Sequence, residues 1–492
     1  VEQQHGKSRY FFLTGATGLL GNYLLRDLLL AGHPVAVLVR SNRRMTARQR
    51  IENLLQHWDR ELGRPLPRPV VLDGDITQPD LGLNACDLRW AAEYCSAIIH
   101  NAASLTFIAT SQESEPYRSN MIGTQNVLEF ARQAAIREFH HVSTAYIAGL
   151  RSGKVLESEV DVGQQLGNDY EISKLAAEKM VRAADFINTP TVYRPGIIIG
   201  DTQTGFTTTY HGFYAALQLA HTLASTHERD AQGLVCTSGV RLNLNGDETK
   251  HLVPVDWVAA AMVRILTQPA LHGQTYHLTP RQPVTARLIR DVLEESIGMY
   301  GTQLCGADHI PANDNEAEAL FHEHIRVYNS YWRNDPEFDY HNIDKALPDL
   351  PCPDVDRSLL LQLSRQAIEA NFPTPTKKPL PWEFDVANAL DVWTDDLTDA
   401  AITRTLLLDV RGSGGGQWQL LTHLGQLVGI EQGQHPDCGN ICQTDVTTFS
   451  RIARGETTWS AALQQGSVVL TGPHGSTEDA VALLEQLIGV TV

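Results

Sequence analysis

No run in the 492-residue sequence reaches the roughly 18 to 20 apolar residues that cross a bilayer, so no membrane span is expected. The seven cysteines (Cys86, Cys95, Cys236, Cys305, Cys352, Cys438 and Cys442) are odd in number, scattered, and form no CxxC, which argues against a secreted disulfide framework and for a reducing cytoplasm. Positive charge is scarce. With 39 basic against 57 acidic side chains the formal charge is -18, which repels phosphate backbones and argues against nucleic acid as a partner. The first apolar run, from Tyr10, reads as a strand and turn and not as a signal peptide. What remains is ordinary globular composition, 42% hydrophobic and 20% charged, in a chain too long for one core.

From Tyr10 to about Gly200, short aliphatic or β-branched runs alternate with amphipathic segments, which predicts α/β architecture: a doubly wound parallel sheet with helices on both faces. The expected strands are Tyr10 to Leu13, Val35 to Val39, Val70 to Leu72, Ala97 to His100, Phe139 to Val142 and Thr191 to Tyr193. Helical spacing is clear over Asn22 to Leu30, Ile122 to Ala135 and Ser173 to Ala184. After Gly200 the alternation breaks down, predicting a smaller substrate lobe over the carboxyl ends of the strands. The proline-rich NFPTPTKKPLP from Asn371 reads as a linker. The chain thus divides into residues 9–370, a linker 371–384, and a small α+β domain over 385–492. In that domain Thr405 to Val410, Trp418 to Thr422, Leu427 to Glu431 and Val468 to Leu470 are expected strands, and Thr477 to Ile488 a helix.

The segment FLTGATGLLG closes the first strand and opens a helix, with glycines at 15, 18 and 21. Glycine allows a tight turn and close approach of backbone to a pyrophosphate, and the helix N-terminus supplies free N–H groups. The turn predicts a dinucleotide site formed by Gly15, Thr17, Gly18, Leu19, Leu20 and Gly21. At the end of the second strand stands Arg40, with Arg43 and Arg44 behind it, where an NAD enzyme usually places an acid. A guanidinium there suits the 2′-phosphate of NADP(H); a solvated basic loop is the alternative. Asp75 and Ile76, after the third strand, fall near the adenine, although Asp75 fits a helix cap equally well. Asn101, Ala102 and Ala103, after the fourth, leave room for the ribose, and His100 reads as a packed strand residue.

Tyr170 and Lys174, in YEISK, stand one helical turn apart on one face. A nearby ammonium favours phenolate, so Lys174 is expected to lower the phenol's pKa and also to reach the nicotinamide ribose. Thr144, just past the fifth strand, can offer its hydroxyl to the same substrate oxygen, with Ser143 the near alternative. These three form the expected catalytic set.

Taken together, TGATGLLG, GDITQPDLGL, HNAA, NMIGTQNVLEFA, HVSTAYIAG, YEISKLAAEK, YRPGIIIGD and LVPVDWVA, spread over Arg9 to Val258, make the chain resemble an extended short-chain dehydrogenase/reductase. The branch it is most similar to contains thioester reductase domains and fatty acyl reductases. The resemblance implies a Rossmann domain over 9–370, NADPH as cofactor, Thr144, Tyr170 and Lys174 as catalytic residues, and Pro195 and Ile198 beside the nicotinamide. The terminal domain, about Asp385 to Val492, resembles the sterol-carrier-protein-2-like fold, which implies an apolar cavity or a packing module.

The expected activity is hydride transfer from NADPH to a carbonyl, or to an iminium derived from a hemiaminal, of a hydrophobic small molecule in specialised metabolism. Acyl-thioester reduction is the alternative; a carrier protein is a possible partner that the sequence does not indicate. A sugar-nucleotide epimerase or dehydratase with tightly held NAD is a second rival, and a non-catalytic lipid carrier or redox sensor a third. No metal is expected: the histidines of Phe321-His-Glu-His324, with His309 and His341, read as surface or packed residues, and Cys438 and Cys442 lack a partner pair. Tyr210, His211 and Tyr214 lie at helical spacing that more often marks a core than a pocket.

Overall fold

The computed structural model describes residues 10–225, 227–237, 240–306, 318, 331, 333–372, 381–390, 403–423, 426–435, 440–472 and 477–487. Cys438, His309 and the histidines at 322 and 324 lie outside these residues.

Seven parallel strands form the main sheet: β1 (Tyr10–Thr14), β2 (Val35–Val39), β3 (Val70–Asp73), β4 (Cys95–His100), β5 (Glu138–Val142), β6 (Thr191–Pro195) and β7 (Thr275–Leu278), in the order β7-β6-β5-β4-β1-β2-β3. All are short and mostly buried because both faces are covered. Leu13, Val35 and Val37 point to one face and pack on α1 (Leu19–Leu30), α2 (Ala47–Leu62) and α7 (Val255–Leu266). Phe12, Ala36 and Leu38 point to the other, towards α3 (Ala85–Tyr94), α4 (Gly123–Gln133) and α5 (Asp169–Ala183). Successive residues taking opposite faces is the period-two pattern of a strand buried on both sides. β7 was not among the expected strands; its TYHL carries a histidine and follows a loop, so its sequence has little apolar signal of its own.

Chain order reverses between β1 and β4, and this opens a crevice at the carboxyl ends of the two strands. Above it sits the second lobe, in which α6 (Phe213–Ser225), α8 (Ala286–Ile297) and the helix Arg357–Glu369 share a core around Phe213, Leu217, Val292, Leu360 and Leu363.

The last lobe holds a five-stranded sheet, β8 (Thr403–Arg411), β9 (Gly416–His423), β10 (Gln426–Gln432), β11 (Asn440–Asp445) and β12 (Val469–Thr471), ordered β10-β9-β8-β11-β12, followed by the expected helix, Thr477–Gln486. Only β8 and β11 pair in parallel. Phe449 and Trp459, on two helices that follow β11, fill its core. The end of the expected linker belongs to this lobe, for Phe384 packs against the same core.

The terminal lobe docks along α2 and beneath β1 and β3. Arg48 bonds Asp385 and the Gly414 carbonyl and lies over the Trp382 ring. Trp90 donates to the Gln432 carbonyl at 2.7 Å, Tyr94 to Glu431 at 3.1 Å, and the Gln434 N–H to the Tyr10 hydroxyl at 2.6 Å.

Candidate active site

The glycine turn is shaped by two different demands. Gly15 has φ +73, and a Cβ there would stand 2.7 Å from Ala102 N; a Cβ on Gly21 would meet the Gly15 carbonyl oxygen at 2.0 Å. At both positions the protein's own backbone excludes a side chain. Gly18 is unlike them: a Cβ there would touch only the Gly15 oxygen, at 3.4 Å, an ordinary contact. It is the N-cap of α1, has no side-chain cap, and faces the cleft. A bare residue that internal packing does not require leaves the first free N–H groups of α1 open to an anion, which fits the pyrophosphate of a dinucleotide.

Thr14 Oγ1 accepts from the N–H groups of Asn101 and Ala102, each at 3.1 Å, and meets His100 Nδ1 at 2.9 Å. His100 Nε2 contacts Thr124 Oγ1 at 2.9 Å, and burial, assisted by Lys174, holds the ring down to about 3. His100 is thus a neutral, packed strand residue. It fixes the floor of the crevice.

At the far end Arg40 Nη1 bonds Asp75 Oδ2 at 3.1 Å, its side chain 67% exposed. Burial pushes Asp75 upward, but Thr77, which donates its N–H and its hydroxyl to Oδ1, together with Arg40 brings it below the usual carboxylate range. Arg43 and Arg44 stay exposed on the loop, and Arg43 does not line the cleft as expected. The second guanidinium is Arg50, which the sequence reading did not single out. Thr46 and Gln49 form a capping box that starts α2, and one turn in, Arg50 reaches back to donate to Thr17 Oγ1 at 3.0 Å. Its signal was positional, a basic residue in the first turn of the helix after β2.

Asn168 caps α5 by accepting from the Glu171 N–H, and the first two turns of the helix carry Tyr170 and Lys174. Thr144 leaves β5 in extended conformation, its hydroxyl accepting from the Tyr146 N–H at 3.2 Å and lying near enough to the Tyr170 phenol to lower its pKa. Lys174 Nζ donates to the Val142 carbonyl at 2.7 Å. The expected lowering of the phenol's pKa by Lys174 is not found. Burial pushes Tyr170 up to about 12, with the Thr144 bond pulling the other way and Glu171 adding to the rise; Lys174 has no part in it. Burial likewise draws Lys174 down to about 8, against the influence of Glu178. The ammonium is engaged by the strand carbonyl, and both side chains are largely buried in the cavity wall. The phenol is therefore a neutral donor.

Two further anchors hold this set. Buried Asn120 accepts from Ser104 N at 2.7 Å and donates to Ser104 O and Ser173 Oγ, tying the loop after β4 to α5. Glu178, one turn beyond Lys174, receives Arg194 of β6 at 2.6 Å in a fully buried pair. Asn120 stands in NMIGTQNVLEFA, where a single amide in a run of mixed character gives little to separate it from Asn126.

One cavity of about 810 Å³ joins these parts. It is lined by every expected cofactor and catalytic residue except Arg43 and Gly21, the latter lying behind the turn: Gly15, Thr17, Gly18, Leu19, Leu20, Arg40, Asp75, Ile76, Asn101, Ala102, Ala103, Thr144, Tyr170, Lys174, Pro195 and Ile198 all face it. It extends into a mainly apolar chamber lined by Phe213, Ala216, Ala220, Leu223, Ile289 and Leu293, with Arg290 and Glu294 also on its wall. His211 faces the cavity, whereas Tyr214 is core, its hydroxyl accepting from Gly200 N. His341 is exposed and joins no ligand cluster among the described residues.

Residues 13–262 match the model of an NAD-binding family described as Male sterility protein. The chain is 27% identical over 288 residues to the nonribosomal peptide synthetase asaC of Aspergillus flavus, covering 55% of this chain and 26% of that protein. It is 30% identical over 285 residues to the aldehyde reductase lnaA of Aspergillus flavus, covering 55% and 25%. The chain thus spans about a quarter of the length of these curated relatives. Among solved structures, the terminal R domain from the myxalamid PKS-NRPS biosynthetic pathway superposes with a TM-score of 0.61 at 27% identity, over 76% of this chain and 93% of that one. Among the described residues no helix is long and apolar enough to cross a membrane.

Proposed function

The chain belongs to the NAD-binding family described as Male sterility protein, and from that premise we propose that it is an NADPH-dependent reductase of the extended short-chain dehydrogenase/reductase type, acting on a carbonyl of a hydrophobic specialised metabolite. The observation that carries this reading is the Thr144–Tyr170 hydroxyl pair, with Lys174 one turn on, set between a glycine turn suited to pyrophosphate and a mainly apolar chamber.

A bound nicotinamide would supply the hydride. Gly15, Gly18 and the N-terminus of α1 would hold its pyrophosphate, and Arg40 with Arg50 would favour a 2′-phosphate over a free diol. Pro195 and Ile198 would line the wall beside the ring, and Lys174 would bond the ribose. At the substrate, Tyr170 and Thr144 hydrogen-bond the carbonyl oxygen and so stabilise the negative charge that grows there. With its pKa near 12, Tyr170 is protonated at neutral pH, and its hydroxyl proton passes to that oxygen. Thr144, whose hydroxyl lowers the phenol's pKa, then stabilises the phenolate left behind. For an iminium formed from a hemiaminal, the same proton goes instead to the departing hydroxyl.

The similarity to asaC and to the terminal R domain supports the second substrate form, an acyl thioester on a carrier protein; the similarity to lnaA supports a free aldehyde. The epimerase reading is weaker, because Arg40 and Arg50 occupy the diol end of the cleft. For the terminal lobe, the mixed sheet and its helices support a sterol-carrier-protein-2-like packing module.

The test is an NADPH-oxidation screen of the whole chain over aldehydes, acyl thioesters and cyclic hemiaminals, run beside Tyr170→Phe and with NADH in parallel. Substrate-dependent oxidation that the variant loses supports the reading. Oxidation unchanged in Tyr170→Phe, or none with any of the three classes, ends it.

A further inference from the structure

At the amino ends of the strands, on the side of the sheet away from the crevice, three side chains with no part in the cleft converge. Glu138 opens β5; His140, two residues on, faces the same way; His272 comes from the loop that leads into β7. Glu138 Oε1 lies 3.0 Å from His140 Nε2 and 3.5 Å from His272 Nδ1, and the three ligand atoms all fall within 4.8 Å of one another. Tetrahedral zinc with bonds of about 2.0–2.1 Å to nitrogen and oxygen sets its ligands roughly 3.3 Å apart, so these spacings bracket what the ion demands.

The outward nitrogens are already engaged. His272 Nε2 faces the carbonyl oxygens of Ile265 and Leu266 at 3.1 and 3.2 Å. Carbonyls only accept, so Nε2 carries the proton, and in the neutral ring Nδ1 turns a lone pair towards a carboxylate oxygen. Two acceptors facing each other at 3.5 Å require a proton or a cation between them. His140 Nδ1 meets the Tyr193 hydroxyl at 3.1 Å, which leaves Nε2 as the nitrogen presented to the cluster. A histidine ligand whose other nitrogen is held by a carbonyl or hydroxyl is the outer-sphere arrangement of metal sites. His140 is fully buried, while Glu138, its side chain 37% exposed, offers a route from solvent.

We propose that Glu138, His140 and His272 form a binding site for one divalent transition-metal ion. Imidazole and carboxylate ligands suit zinc, with a water completing four-coordination. Such an ion ties β5, an inner strand, to the segment that delivers the edge strand β7, so its role is structural.

The experiment uses the tag-free whole chain, stripped with chelator and dialysed against zinc chloride. The expected result is one tightly held equivalent and a raised unfolding temperature, with His272→Ala losing both. Glu138→Cys loaded with cobalt(II) adds a spectroscopic readout, a thiolate-to-cobalt charge-transfer band absent from the parent chain, and it decides the matter where His272→Ala folds poorly. The proposal is overturned by a chain that takes up no stoichiometric zinc, as a protonated His272–Glu138 ion pair would dictate, by full uptake in His272→Ala, or by a Glu138→Cys cobalt spectrum without the band.

Discussion

The two halves of the cavity are built on opposite terms. Around the glycine turn and Lys174, most positions are set by backbone approach or by a named hydrogen bond: Gly15 by Ala102, Asn101 by the Gly15 carbonyl, Lys174 by Val142. Around Phe213, Ala220 and Leu293 the wall is mainly apolar and shaped by volume, its polar members Arg290, Glu294 and Thr302 being bonded to one another. A surface made of directed contacts discriminates between polar groups by large factors. A surface made of aliphatic side chains grades its ligands by size, at about 1–3 kcal/mol for a methylene.

The largest effect separates the halves outright. Tyr170→Phe removes the proton donor while preserving shape, and turnover is expected to fall roughly 10²- to 10⁴-fold with NADPH affinity, measured by fluorescence titration, little changed. The chamber yields to the opposite change. Ala216→Trp fills it, and kcat/KM for long-chain aldehydes should drop roughly 10- to 200-fold while short ones react as before. Equal losses for both would show that the chamber is not where the chain lies. Arg50→Ala takes a charged donor from the 2′-phosphate end, a contact of about 1.5–3 kcal/mol, so kcat/KM for NADPH should fall at least tenfold with that for NADH nearly unaffected. The smallest effect is a slope. Lys174 has its pKa drawn down to about 8, so its ammonium is present below that pH and lost above it. A pH profile of kcat/KM should therefore decline above about pH 8, and in Lys174→Arg, which keeps its charge, the alkaline limb should move upward.

The same contrast explains what could be read from the sequence. The glycine turn, Asn101 and the Tyr170/Lys174 pair were legible because backbone approach and one-turn spacing leave residue types at fixed intervals. Arg50 was not: its position depends on how the capping box of Thr46 and Gln49 aims α2, a relation between helix and turn that no local spacing carries. The aliphatic wall was equally silent, since Leu223 and Leu293 look in sequence like any core leucine. In the terminal lobe four strands were expected near where they lie, but β11, reading Asn-Ile-Cys-Gln-Thr-Asp, was missed, because it is half polar and takes its stability from pairing with β8 on one side and β12 on the other. The pKa of Tyr170 was misjudged for a related reason: charge effects were read from spacing, whereas burial, which spacing does not report, prevails.

The hydroxyl of Tyr10 receives the Gln434 N–H at the root of β1, four residues before that strand runs out into the glycine turn. The tail of the chain is thus a footing for the strand that carries the nucleotide cradle. A shortened protein ending at residue 370 would bare Trp90 and Tyr94 beside the open rim of β3, a sticky, half-paired margin of the kind that seeds clumping.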